Sequence, residues 1–442
     1  MHFFTKKSMI LGQYFVTFAR FDHKGDGENV MITYNGNKIT KAIGEKMQIH
    51  IKSAGESLKD ISEKYGVSEE NIRMTNELYE GEGTDGEELL ILIPTRSYTV
   101  QYGDTADRLA LRFGISKNDI YSQNPWLIDK ELKPGQSISL KCGQKTGGMA
   151  VANGYFYNGC TREMLKMVMP YLTYITFADA VADERGIHLS ADHKKEVEMA
   201  ISQRKIPLVR VYDRYLERYK NGEGLTTFAE GLISMAESVG YKGIVLDSCS
   251  LSDSAKEFSA FLMILRKLMI GCDLILITEI NEKSPIEFSE YADGSVMYYP
   301  KYAMDNPPSF DDGERKVLAD FACLGESAKT FIDLPSLARR GKEFTTISEA
   351  QNRARRCGYN IEHNENTLLS HIRDRRQGEY SFSSLKSIRA MLDLISEFDY
   401  MGICFDIMRT PLSHILMYNA MFKTHYFNSV RTREGCSRAD GE

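Results

Sequence analysis

Tyr241-Lys-Gly-Ile-Val-Leu-Asp-Ser-Cys249 holds a short apolar run, Gly243–Asp247, that stops on a carboxylate. Its length suits a strand buried on both faces, and helical stretches flank it. Seven further runs share the pattern: Ala150–Tyr157, Leu172–Ala178, Ile206–Tyr212, Asp273–Thr278, Ser295–Tyr299, Thr330–Leu334 and Tyr400–Phe405. Apolar strands alternating with helices call for a parallel α/β sheet, and eight of them fit a (β/α)8 TIM barrel. Asp179, Asp213, Asp247, Glu279, Asp333 and Asp406 then stand at strand ends, on the rim where barrel chemistry sits. Short acidic residues also cap the helices that follow strands, which is the simpler expectation for most of them.

With 442 residues the chain exceeds a single core, so more than one domain is expected. A 42% hydrophobic and 26% charged composition is globular, and the net charge of −6 argues against a nucleic-acid partner, whose phosphates call for a basic face. The cysteines (Cys142, Cys160, Cys249, Cys272, Cys323, Cys357, Cys404 and Cys436) show no C-x-x-C spacing, which predicts reduced thiols and synthesis in a reducing compartment. The apolar run Met9–Phe18 is broken by Gly12 and Gln13 and is followed by no small-residue cleavage site. It makes neither an export signal nor a membrane span, and no other segment approaches about 18 uninterrupted apolar residues. Membrane insertion is therefore not expected. Residues 1–46 are expected to be a loosely folded extension or mis-assigned upstream translation.

A repeat follows. Gly55-Glu-Ser-Leu, Ile61, Tyr65-Gly-Val, Ile72 and Asn76-Glu-Leu recur 48 residues later as Gly103-Asp-Thr-Ala, Leu109, Phe113-Gly-Ile, Ile120 and Asn124-Pro-Trp. Each copy reads as strand, helix, helix, strand, with Ser57 or Thr105 as helix N-cap and Gly66 or Gly114 as left-handed C-cap. The predicted units are 47–95 and 96–142. In Tyr98-Thr-Val-x-x-Gly103-Asp-Thr and Asn124-Pro-x-Leu…Pro134-Gly-Gln the second copy resembles the LysM carbohydrate-binding module. The first departs from it at Glu77 and Gly86-Glu-Glu. The resemblance implies a groove for N-acetylglucosamine units between the first turn and the loop after the second helix. It would be formed by Gly103, Asp104, Thr105, Asn124, Pro125 and Trp126 in one copy, and by Gly55, Glu56, Ser57, Asn76 and Leu78 in the other. Trp126 either offers its indole to a sugar face or closes the module's small core. Docking onto other proteins is the alternative use of such a module.

After the Gly-rich linker Cys142–Gly148, residues 148–427 resemble glycoside hydrolase family 18, and within it the LysM-bearing spore cortex-lytic N-acetylglucosaminidases. The resemblance rests on Gly154-Tyr155, Leu172-Thr-Tyr-Ile…Phe177-Ala, Tyr241…Gly243, Met297…Tyr299, and Ser384…Lys386 leading to Gly402. The family motif D-G-x-D-x-D-x-E falls on Lys242, Gly243, Val245, Asp247 and Cys249. The family's chemistry is substrate-assisted: the sugar's acetamido oxygen attacks the anomeric carbon, the Asp orients it, a Tyr donates to it and the Glu is acid and then base. Asp247 and Tyr299 occupy two of these places, and Cys249 occupies that of the acid. A thiol of ordinary pKa near 8.5 is a poor donor to a glycosidic oxygen, and losing general acid catalysis costs on the order of 10²–10⁴ in rate. Val245 for the second Asp, Pro300 for the Asp after Tyr299 and Asp406 for the strand-eight Trp point the same way.

The expectation is a peptidoglycan- or chitin-binding protein with an inactive barrel, without cofactor or metal, synthesised without an export signal and associated with the spore or cell wall. The competing expectation is an active cortex-lytic N-acetylglucosaminidase, with Glu279 as a conceivable relocated acid. His188, His193, His363 and His371 read as surface residues, Arg353-Ala-Arg-Arg356 as a solvated helix face, and Pro307-Pro308 with Asp311-Asp312 as a loop bordering the cleft. Residues 428–442 read as a flexible tail.

Overall fold

The computed structural model describes residues 6–11, 14–20, 29–34, 37–42, 47–79, 81–141, 147–213, 224–249, 255–300, 303–374 and 378–424. The expected tail lies outside them, as do Cys142 and Cys436. Within residues 1–46, Lys6–Leu11, Tyr14–Arg20, Asn29–Tyr34 and Asn37–Ala42 pair as an antiparallel meander.

The two repeats have one construction. The first comprises β1 (Met47–Ile51), α1 (Leu58–Tyr65), α2 (Glu69–Thr75) and β2 (Glu88–Leu92). The second comprises β3 (Arg96–Thr99), α3 (Ala106–Phe113), α4 (Lys117–Gln123) and β4 (Ser137–Lys141). Ser57 and Thr105 cap α1 and α3 by accepting from the N–H groups of Asp60 and Arg108, and Gly66 and Gly114 end those helices at φ 65°. The repeated asparagine ties the closing strand to the second helix. The Asn76 amide donates to Ile72 O and Leu90 O (both 2.9 Å) and accepts from Leu90 N at 2.7 Å. Asn124 makes the same three bonds to Ile120 and Ser139 at 2.7–2.9 Å. Both asparagines are buried, so their side chains satisfy backbone groups that would otherwise be orphaned.

The barrel follows as β5 (Met149–Phe156), α5 (Arg162–Val168), β6 (Tyr174–Asp183), α6 (Lys194–Ser202), β7 (Ile206–Asp213), α7 (Leu225–Val239), β8 (Gly243–Asp247), α8 (Ala255–Met269), β9 (Ile275–Asn281), β10 (Gly294–Tyr298), α9 (Lys316–Cys323) and β11 (Thr330–Asp333). An insertion comes next: β12 (Leu337–Arg340), β13 (Glu343–Thr346), α10 (Ile347–Cys357), β14 (Ile361–Asn364), β15 (Leu369–Asp374) and β16 (Gly378–Ser383). The chain returns through α11 (Leu385–Glu397), β17 (Gly402–Asp406) and α12 (Leu412–Met421). The strands β5, β6, β7, β8, β9, β10, β11 and β17 are parallel neighbours, and β5–β6 pairing closes the ring. Gly243 permits one close approach, since a Cβ there would lie 2.5 Å from Ile275 O on β9.

Inward side chains alternate along each strand. Val151, Leu208, Val245, Ile277, Val296 and Phe331 fill the barrel with an apolar layer, and polar residues begin two positions later on each strand. The insertion is a five-stranded antiparallel sheet covered by α10, around Ala350, Ala354, Ile361, Ile372 and Phe382. The sequence pattern predicts only a helix here. Its four- to six-residue strands alternate polar with apolar residues and give no long apolar run.

Candidate functional site

Above the apolar layer, the barrel mouth is spanned by one guanidinium. Arg210, inward on β7 and buried, donates from Nε and Nη2 to the two oxygens of Glu279 on β9, each at 2.6 Å, and from Nη2 to Asp247 Oδ2 on β8 at 3.0 Å. Tyr155 from β5 gives its hydroxyl to Glu279 at 2.6 Å. The other oxygen of Asp247 accepts from Cys249 N at 3.0 Å. Both oxygens of Asp247 and both of Glu279 are therefore already bonded. A bidentate pair of this kind in a buried setting is geometrically rigid, and removing either partner strands the other's charge.

Cys249 stands just past the end of β8, where the sequence places it. Burial, reinforced by the charges of Asp247 and Glu279, pushes its thiol pKa far up, so it stays protonated and is a weaker acid than a free thiol. Next to the Arg210 pair lies a cavity of about 160 Å³ lined by Tyr155, Tyr157, Tyr298, Tyr299, Asp333 and Asp406. Asp406 accepts from the N–H groups of Met408 (2.9 Å) and Arg409 (3.0 Å), fixing the turn after β17. Burial, then the charges of Glu279 and Asp406, push the pKa of the Asp333 carboxyl well up.

Several sequence expectations change here. Tyr298 rather than Tyr299 points to the network: its hydroxyl lies 3.5 Å from Glu279, whereas the Tyr299 hydroxyl packs against Gly313, where an added Cβ would sit 3.2 Å away. Burial and the Glu314 and Glu282 carboxylates raise the Tyr299 pKa. Glu279 is the partner of Arg210, neither a free acid nor a helix cap. His193 is no surface residue: its ring is largely covered, bonds the fully buried Asp179 and lies edge-on to Phe156 at 5.0 Å. His363 is covered too, meeting Gly86 O at 2.6 Å. Within the basic run, the Arg355 side chain is buried against Glu87 of the first module, while Arg356 is exposed, so only part of the run is solvated. Arg210 itself escaped the sequence reading. Its signal was a lone arginine inside the apolar strand Ile206–Asp213.

In the modules, Trp126 is only 7% exposed and belongs to the core that joins the second module to the barrel; it is not a partly exposed platform. Asn76, Leu78, Asn124 and Pro125 are buried as well. Gly55, Glu56, Ser57, Gly103, Asp104 and Thr105 remain at the surface, with the Glu56 carboxylate bonded to His50 (2.9 Å) and Asp104 to Tyr98 (2.8 Å). The six described cysteines are free. Among the described residues no group of three or more His, Cys, Asp and Glu could hold a metal ion, and no described helix is long and apolar enough to cross a membrane.

The LysM domain profile matches residues 53–81 and 98–141. The spore cortex-lytic enzyme SleL of Bacillus cereus has a crystal structure that superposes on 86% of this chain and 99% of its own, with a TM-score of 0.66 at 16% identity. A GH18 chitinase of Cycas revoluta, solved with (GlcNAc)4, superposes on 61% of this chain and 98% of its own, with a TM-score of 0.51 at 14% identity. Two stretches of the chain thus match the LysM domain, and its barrel shares the fold of these enzymes. It is also 24% identical over 250 residues to the "Putative sporulation-specific glycosylase YdhD" of Bacillus subtilis (strain 168), a match that spans 54% of this chain and 59% of that protein. At these identities the structural likeness establishes the fold, while the Arg210 pair and Cys249 are read from this chain's own residues.

Proposed function

We propose that this protein binds N-acetylglucosamine-containing glycan through its LysM modules and that its barrel no longer hydrolyses glycosidic bonds. The observation that carries the second half is the Arg210 pair. The carboxylate meant to orient an acetamido group, Asp247, has one oxygen on Arg210 and the other on Cys249 N. The acid position holds a thiol whose pKa is raised, and the nearest alternative carboxylate, Glu279, is ion-paired on both oxygens. General acid catalysis needs a donor within reach with a pKa near the working pH, and this side of the mouth supplies none. The names of the relatives favour a role in sporulation, with the chain deposited on the spore or its wall and peptidoglycan as the glycan. Retention of the purified protein on insoluble peptidoglycan and chitin, but not on cellulose, tests the binding half, and equal retention on all three contradicts it.

One observation favours a second reading, in which the barrel is an active glycosidase. Asp333 lines the tyrosine-lined cavity, and burial pushes its pKa up, the direction a general acid requires. Under that reading peptidoglycan turnover is present and falls about 10²-fold or more in Asp333→Asn. Under the reading proposed here there is no turnover to lose.

A further inference from the structure

The two modules differ in what surrounds their grooves. In the first, the start of the loop after α2 (Asn76 and Glu77) and the turn before β2 (Gly86 and Glu87) are held by the barrel. Arg355 on α10 donates to Asn76 O at 3.3 Å and Glu77 O at 3.1 Å, and its Nε bonds the Glu87 carboxylate at 3.1 Å. The Glu77 carboxylate accepts from Leu412 N at 3.1 Å and Ser348 Oγ at 3.3 Å. Gly86 lies flat on β14, where a Cβ would come within 2.0 Å of Ile361 O. From the module's own side, Glu82 reaches across to the N–H of Leu58 at 3.4 Å, the start of α1. A sugar entering this groove would have to break the Glu82 contact to Leu58, and it would find the carbonyls of Asn76 and Glu77 already engaged by a guanidinium whose removal is costly.

The matching loop of the second module, Asp129–Gly135, is exposed at every position but Leu132, and Asp129 meets the barrel as the partner of Lys166. Its first turn presents Tyr102, 96% exposed beside Gly103. At the equivalent place, 48 residues earlier, the first module has Ala54. A ring left in water next to a polar turn is suited to stacking on the apolar face of a sugar.

We infer that the chain has a single glycan site, on the second module, with Tyr102 as its stacking ring, and that the first module is a clamp holding the barrel's insertion. This rests on the glycan-binding reading above and assigns that binding to one of two grooves. The test is calorimetric titration of the full chain with an N-acetylglucosamine oligomer, alongside Tyr102→Ala and Tyr79→Ala. Both tyrosines are exposed, Tyr79 at 64% beside the first groove, so neither change threatens folding. The expected result is one oligomer per chain, about tenfold weaker in Tyr102→Ala and unchanged in Tyr79→Ala. Two oligomers per wild-type chain, undiminished affinity in Tyr102→Ala, or an equal loss in Tyr79→Ala overturns the assignment while leaving glycan binding intact. A wild-type chain that takes up no oligomer overturns the binding reading and this inference with it.

Discussion

Replacing Arg355 by methionine keeps most of the aliphatic stem and removes the guanidinium that fastens the first module to the barrel. The side chains of Arg355 and Glu87 are 4% and 1% exposed, so the change leaves a carboxylate buried without its cation. Breaking a buried pair from one side costs roughly 3–5 kcal/mol. Thr84 N, 2.9 Å from Glu87, still donates to the stranded carboxylate, which puts the expectation at about 3 kcal/mol, the lower end of that range. The carbonyls of Asn76 and Glu77 lose their donor as well. In a protein of several units a single unfolding free energy is ill-defined, so amide hydrogen exchange resolved by segment is the suitable assay. Exchange in α2 and β2 should accelerate by about a hundredfold while the barrel strands keep their protection. Replacing Glu87 by methionine in the same chain should recover most of the loss, because the orphaned charge is then gone. The exposed pair Lys59–Glu63, with side chains 73% and 70% exposed, is the control, and Lys59→Met should shift exchange by no more than about 0.5 kcal/mol. If Arg355→Met behaves like Lys59→Met, the first module is not clamped and the reasoning fails.

Acidification should expose a second buried group. His414 on α12 is held neutral by burial, which pushes its pKa down to about 3 from an ordinary value near 6.5. The unfolded chain takes up that proton below pH 6.5 and the folded chain does not, so stability falls as the pH drops through this window, by about 1.4 kcal/mol per unit. The melting temperature of His414→Phe should therefore depend less on pH between 6.5 and 5 than that of the wild type; parallel profiles would contradict the assignment. In the mouth, Cys249→Glu alone should not produce measurable turnover, because Arg210 still holds Asp247 and Glu279. Turnover by that single variant would show that the ion pair does not disable the site.

The barrel was legible in the sequence because each of its strands is an apolar run with a polar end, and Gly243–Asp247 lies where the run predicts. The modules were legible because the spacing of Gly, Asn and apolar residues repeats. The insertion was not, since its short strands place alternate residues in water. Tyr298 could have been found: Val245-x-Asp247, Ile277-x-Glu279 and Val296-x-Tyr298 share one alternation, and Tyr299 is out of phase with it. Leu208-x-Arg210 follows the same rule. The burial of Arg355 could not have been found, because its partner Glu87 lies 268 positions earlier and no local spacing encodes their meeting.

The central claim is that glycan is held and not cut. It is tested most directly by release of the aryl group from an aryl N-acetylglucosaminide by wild type and Asp247→Asn, on preparations first shown to be retained by peptidoglycan. An aryl leaving group needs little protonation, so residual substrate assistance would register even without an acid. The account predicts retention with no release above background by either protein. Release by the wild type that disappears in Asp247→Asn would contradict it.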